Sequence, residues 1–424
     1  MWAAVLVLLV ACTAGAAAPS LQPAPTVRPT TASAVASPTT TAPGDAASTP
    51  SVARPSIALA RGPWVEAIDR AVAGRDVSVA VGIGSRIVYA YRGTTPRVLA
   101  SNEKLLTSMA ALDILGPDFR FRTSLAAGRA RVVDGVLRND VWLIGGGDPT
   151  LTPARLATLA RKLRATGVRR IDGRVLGDVR AFDRGWWAPG WLPGISRDYV
   201  VRPTALRLAG SSAQDPEAEA ASALRAALLA AGVTVQGEAG AGKAPAPIET
   251  LVSGASALLS TLLVHQNHES DNLYAELTTK ALGGSTADGP GSTATGARAI
   301  RDWAAEQGVA AGVRDGSGLS EQDRTSAIGV VWLLLGARQE TWFAAFERSL
   351  PAGGAGTLQG RLVGVPVRAK TGTLFVRPAS TLSGYVTTRN GRTVAFSVLT
   401  HDLPEASAEA LEDAVVRALA GATI

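Results

Sequence analysis

Ser101 and Lys104 stand three residues apart in "VLASNEKLLTSMAAL", where an apolar helix is expected to begin. Side chains at i and i+3 share a helix face, so this hydroxyl and this amine can meet. The positive end of the helix also favours an oxygen that develops negative charge. A lysine acts as a base only when its pKa is lowered, which burial or a second nearby cation achieves. Taken alone, the pattern is better read as a serine-capped helix with a solvated lysine, since S-x-x-K arises by chance in many proteins. Two distant stretches bear on the choice. "ESDNLYAE" holds Ser270, Asp271 and Asn272 between two helical segments, with a hydroxyl to relay a proton and an amide to orient a substrate carbonyl or the lysine. "RAKTGTL" sets Lys370, Thr371, Gly372 and Thr373 on a strand. There the lysine and hydroxyls suit an anionic group, Lys370 offers the second cation, and small Gly372 admits a substrate backbone. The order S-x-x-K, S-x-N, K-T-G is highly specific.

Other chemistries fit poorly. "GEAGAGKA" approaches a phosphate-binding loop, but Ala244 stands where a magnesium-binding hydroxyl belongs and Pro245 where a helix must start, so it reads as a linker. His265 and His268 lack a third metal ligand. His401 is an isolated candidate base, and no G-x-S-x-G elbow accompanies it. Cys12 is the only cysteine, which excludes disulfides and thiolate zinc sites from the folded part. Neither a metal nor a cofactor is expected.

The chain has 424 residues, 46% hydrophobic and 18% charged, enough for two or more domains. Its net charge of +7 comes mostly from dispersed arginine. No basic block with interleaved aromatics suggests nucleic acid, whereas anionic wall polymers or phospholipid headgroups suit such a surface outside a cell. Genomic composition bias explains the arginine equally well. Residues 1–18 hold an apolar run that fits a secretory signal or an anchor, although no Lys or Arg precedes Arg28. Cys12 in "LVAC" resembles a lipobox, which leaves secretion, lipid attachment and an uncleaved anchor open. Residues 19–59, rich in Pro, Thr, Ser and Ala, read as a flexible stalk.

The positioning elements follow from periodicity. "PWVEAIDRAVAG" reads as a helix and "VSVAVGIGSRIVYAYRG" as two strands through Gly84-Ser85. Three further strands come late, in "VPVRAKTGTLF", "STLSGYVTTRNGR" and "RTVAFSVLTHDL", the last two joined at Asn390-Gly391. A helix in "EASAEALEDAVVRALAGA" closes the chain. One sheet assembled from both ends is expected, with residues 121–247 as an insertion.

These residues together resemble the penicillin-recognising serine enzymes, most closely the class C low-molecular-mass penicillin-binding proteins, D-alanyl-D-alanine carboxypeptidases and endopeptidases. The likeness covers nearly everything after the stalk, including "LIGGGDPTLT", "GDVRAFD", "VRDGSGLSEQDRTSA" and "LPAGGAGTLQGRL". It implies an α+β fold with a β-lactamase/transpeptidase-like core, a five-stranded antiparallel sheet flanked by helices, built from residues 60–120 and 248–424. A smaller α/β domain, 121–247, is inserted, trimmed after "YVVRPTAL" relative to fuller members.

The resemblance further implies that Ser101 attacks the D-Ala-D-Ala carbonyl of a peptidoglycan stem peptide, with Lys104 as first-ranked base. Ser270 and Lys370 pass a proton to the leaving group, and Asn272 holds the peptide carbonyl. Thr371, Gly372 and Thr373 belong to the substrate-binding strand, the two threonines joining Lys370 at the terminal carboxylate. Ser101 and Thr373 supply the oxyanion N–H groups, and β-lactams acylate the same serine. The enzyme is expected outside the cytoplasm, in the cell envelope, and membrane association through the N-terminus is possible. A β-lactamase-like or esterase-like hydrolase, and a catalytically quiet wall-binding scaffold, remain as alternatives. Asp148 and Asp315 are expected to form turns, and Trp186, Trp187 and Trp191 to pack insertion against core.

Overall fold

The computed structural model describes residues 56–128, 132–192, 199–375 and 378–424. The apolar run of residues 1–18, Cys12 and the stalk up to residue 55 lie outside the described residues. Among the described residues no helix is long and apolar enough to cross a membrane.

The central sheet is drawn from both ends of the chain. Its five long antiparallel strands run in the order Arg86–Tyr91, Val77–Ile83, Thr393–Thr400, Ala379–Thr387 and Val367–Leu374. A sixth strand, the two-residue Ser56–Ile57, adds in parallel at the Arg86–Tyr91 edge. The turn at Gly84 and the Asn390-Gly391 hairpin both use a glycine at positive φ, +59° and +79°, which a side chain would resist.

Both faces of the sheet are covered, and the sequence of Val77–Ile83 shows why. Every residue of "VSVAVGI" is buried, as a strand between two layers requires. Val79 and Val81 face one layer with Trp64, Ile68, Leu411 and Val415, from the helices Pro63–Val72 and Glu405–Ala420. Ala80, between them, faces the other layer, following the two-residue period of a strand. At the heart of that layer lies the helix Glu103–Ile114, whose residues from Glu103 through Leu112 are all buried. Its apolar residues Leu105, Leu106, Met109 and Leu112 join the core, and Glu103, Lys104, Thr107 and Ser108 are buried with them. Around it stand the helices Leu259–His268, Asn272–Thr286, Thr293–Glu306 and Phe343–Ser349.

A second sheet has the order Ala239–Gly242, Val175–Asp178, Val141–Gly145, Arg122–Ala127 and Glu249–Ala255. The helices Pro153–Ala165 and Pro216–Ala230 pack on it through Leu156, Leu159, Leu163, Leu224 and Leu228. Each helix has a side-chain N-cap, from Thr152 and Asp215, and a proline in its first turn. The glycine-rich "GEAGAGKA" run supplies the edge strand Ala239–Gly242, in parallel register with Val175–Asp178. A four-stranded sheet of two-residue strands completes this region.

Candidate active site

Ser101 does not cap the helix that follows it. It lies in the 3-10 turn Ala100–Asn102, and the helix Glu103–Ile114 has no side-chain cap. Its hydroxyl is therefore left to Lys104. Ala100 enters the turn at φ +46°, a left-handed conformation costing on the order of 1–2 kcal/mol for a non-glycine residue.

Lys104 is wholly buried. Its Nζ makes three contacts, 3.0 Å to Ser101 Oγ, 2.7 Å to Asn272 Oδ1 and 2.6 Å to the Ser317 carbonyl. The two carbonyl oxygens are enough acceptors for the two N–H groups of a neutral amine, which leaves its lone pair for the serine hydroxyl. Burial lowers Lys104 to about 8, against an upward pull from the buried carboxylates of Asp315 and Glu276. Burial, rather than a second cation, is thus the leading cause of the depression.

Lys370 is equally buried and donates to Ser270 Oγ at 2.9 Å and to the Thr371 carbonyl at 2.8 Å. Burial holds it well below the usual lysine range, and the charge of Lys104 depresses it further. The repulsion between the two lysines falls on Lys370. Ser270 itself sits at φ +54°, in the bend between the helices Leu259–His268 and Asn272–Thr286. Asp271 caps the second of these, accepting from Tyr274 N at 3.0 Å, and so aims Asn272 at Lys104. The amide Nδ2 of Asn272 donates in turn to the Tyr199 carbonyl at 2.9 Å.

Ser101, Ser270, Asn272, Thr371, Gly372 and Thr373 line one cavity of about 570 Å³. All eight residues singled out by the sequence therefore lie in or directly behind one site, with Lys104 and Lys370 beneath its floor. None of the three histidines lines this cavity. A side chain on Gly372 would place its Cβ 2.7 Å from Ser101 N and 2.5 Å from Thr381 Oγ1. The close neighbour that demands a glycine here is the backbone of Ser101, in addition to any substrate.

Several contributors carry no motif. Asn102, fully buried, donates its amide to the Lys370 carbonyl and to Thr381 Oγ1 at 3.1 and 2.5 Å. Glu276 accepts from the N–H groups of Gly316 and Ser317 at 3.0 Å each. The available signal was a polar residue at a core position, as with Glu276 between Ala275 and Leu277. Asp315 accepts from Gly318 N and Ser320 N at 2.6 and 2.8 Å, and from Trp191 Nε1 at 2.5 Å. It shapes a turn and ties the tryptophan loop to the site. Trp191 is buried beside Leu319, whereas Trp187 is 51% exposed. Asp148 accepts from Thr150 N and pairs with Arg155 at 2.6 Å, holding its own turn.

The chain matches the D-Ala-D-Ala carboxypeptidase 3 (S13) family over residues 64–209 and 200–422. It is 30% identical to a D-alanyl-D-alanine carboxypeptidase of an Actinomadura species, with 84% of this chain and 82% of the relative covered. A carboxypeptidase of Mycobacterium tuberculosis is 28% identical, over 90% of this chain and 86% of its own. In fold, the chain is similar to penicillin binding protein 4 from Haemophilus influenzae, with a TM-score of 0.73 at 21% identity, covering 84% of this chain and 99% of that one. With the family match running from residue 64 to residue 422 and a relative 30% identical over most of both chains, the chain belongs to the D-Ala-D-Ala carboxypeptidase 3 (S13) family of serine peptidases.

Proposed function

We propose that the protein cleaves the D-Ala-D-Ala bond, or a D-Ala to diamino acid crosslink, of peptidoglycan stem peptides through an acyl-enzyme on Ser101. One observation carries this reading. Two buried lysines each reach a serine hydroxyl at the same cavity, Lys104 at Ser101 and Lys370 at Ser270.

In this reading Lys104, as free amine, takes the Ser101 proton while Asn272 and the Ser317 carbonyl hold its two N–H groups. The alkoxide attacks the penultimate D-alanine carbonyl. The oxyanion faces the N–H groups of Ser101 and Thr373, each donor contributing on the order of 3 kcal/mol. Asn272 also orients the peptide carbonyl. The proton then passes through Ser270, backed by Lys370, to the leaving amine, and water later releases the acyl group. Lys370, Thr371 and Thr373 receive the terminal carboxylate, with Gly372 keeping that strand against the nucleophile.

We assign residues 60–120 and 248–424 to the peptidase domain and 121–247 to the insertion, whose sheet takes its edge strand from Glu249–Ala255. The substrate places the enzyme outside the cytoplasm, in the cell envelope. Residues 1–18 then act as signal or anchor and residues 19–55 as stalk, the expected stalk losing its last residues to the sheet at Ser56–Ile57, with lipid attachment at Cys12 as the alternative mode.

A fluorescent penicillin tests the reading directly. A stable adduct lost in Ser101→Ala, together with release of free D-alanine from a pentapeptide, is the expected result. An adduct that survives the substitution, or rapid turnover of the antibiotic without D-alanine release, overturns it.

A further inference from the structure

Behind Lys104 lie four buried carboxylates that the proposed chemistry does not use, Glu103, Glu276, Asp315 and Asp323. Neither oxygen of Glu103 has a hydrogen-bond partner. Burial and the neighbouring carboxylates push Glu103 and Asp323 well above the ordinary range. Glu276 differs in what it touches. Its Oε1 accepts from Gly316 N and Ser317 N, and its Oε2 accepts from Thr293 Oγ1 at 3.3 Å.

The two N–H groups belong to the turn that carries Ser317, whose carbonyl receives Lys104 at 2.6 Å. The peptide plane before Ser317 is held at both ends, its N–H by Glu276 and its carbonyl, from Gly316, by Thr107 Oγ1 at 2.8 Å. The plane after it is fixed by Asp315, which accepts from Gly318 N. Asp315 thus holds the plane of the Ser317 carbonyl itself, and Glu276, on the same helix that carries Asn272, holds the planes leading into it. Both acceptors of the Lys104 amine therefore depend on one helix.

We propose that Glu276 is a positioning residue for acyl transfer, holding the Gly316–Ser317 backbone so that the Ser317 carbonyl orients Lys104, with its buried carboxylate behind that lysine. This rests on the reading of Lys104 as the base for Ser101. The groups facing Glu276 are Lys280 on its own helix, Glu103 and Lys104 from the Glu103–Ile114 helix, Asp315 and Asp323 from the turn, and Thr293 from the neighbouring helix. Burial first, then Asp315, raises Glu276 to about 7, while the Ser317 and Gly316 donors oppose the rise. Its charge in turn pulls Lys104 upward, against burial.

Two variants separate charge from geometry. Glu276→Gln keeps an oxygen for the two N–H groups and turns its amide toward Thr293 Oγ1, so only the charge is lost. Glu276→Asp keeps the charge but withdraws it by one methylene. The readout is the penicillin acylation rate at Ser101 against pH. Losing the charge lowers the Lys104 pKa, so the acidic limb of E276Q is expected to move down by about one pH unit, with the alkaline plateau retained. E276D is expected to keep the limb and to lose about tenfold in plateau rate, because the base is misplaced. A limb that stays or moves up in E276Q overturns the proposal. So does a wild-type plateau in E276D, which decides the matter alone if E276Q does not fold. Absence of any Ser101 adduct in the unsubstituted protein instead overturns the D,D-peptidase reading.

Discussion

The side-chain amide of Asn102 donates to the main-chain carbonyl of Lys370 at 3.1 Å, across 268 residues of sequence. The same amide reaches Thr381 Oγ1, which donates to the Leu99 carbonyl at 3.0 Å. One residue thereby joins the turn bearing the nucleophile to two neighbouring strands of the sheet. Ser101 and Lys370 are held in register by Asn102, between them, rather than by a direct contact.

Replacing Asn102 by Ala strands the Lys370 carbonyl in the core and is expected to cost about 2 kcal/mol. Urea unfolding measures that cost, and penicillin labelling of the folded fraction measures the loss of alignment. A variant as stable as the parent and labelled at the same rate contradicts this role for Asn102.

Much of this was legible in the sequence because the signals were local. Strand alternation, the Asn390-Gly391 hairpin and each of the three motif stretches sit within a few residues. The Ser101 helix was recognisable as apolar, but its burial on all sides depends on four other helices that no short window contains. The short strand at Ser56–Ile57 was missed because two residues have no periodicity to read. Asn102, Glu276 and the Ser317 carbonyl act through backbone groups far away in sequence, and backbone atoms carry no residue signature. The reason for Gly372 needed the structure as well, since the clash it avoids is with Ser101.

Acylation is expected to rise with pH until the Lys104 amine is free. Burial brings that point down from 10.5 to about 8. Below it the rate of penicillin capture falls about tenfold per pH unit, and above it the rate levels. The stability effect has a related sign. Between about 8 and 10.5 the folded state holds fewer protons on Lys104 than the unfolded chain, so stability rises with pH across that window. Below it the full penalty of burying the ammonium is present. A labelling rate that is flat from roughly pH 6 to 9 contradicts Lys104 as the base.

Gly372→Ala forces a methyl against the Ser101 amide at 2.7 Å. Backbone cannot yield there as a flexible side chain would, so Ser101 is pushed from its place. We expect acylation to slow about a hundredfold, with a stability loss of about 2 kcal/mol from overpacking. Small and large β-lactams should suffer alike, because the obstruction lies on the enzyme side. If only bulky ligands are slowed, the glycine serves substrate passage alone.

Ser270 receives buried Lys370 on its hydroxyl while holding a backbone conformation the residue resists. Its φ of +54° favours glycine, whereas its Oγ is one of the two acceptors for buried Lys370. The two demands separate in a pair of substitutions. Ser270→Ala and Ser270→Gly both remove the hydroxyl, and both are expected to lower acylation by about a hundredfold. They differ only in the freedom of the backbone. The glycine variant should be the more stable by about 1 kcal/mol, the net of relieved left-handed strain and added unfolded-state entropy. Denaturant unfolding of the pair measures that difference, with penicillin labelling in parallel. Equal stabilities remove the claim of strain, and labelling at the parental rate in either variant removes Ser270 from the proton path.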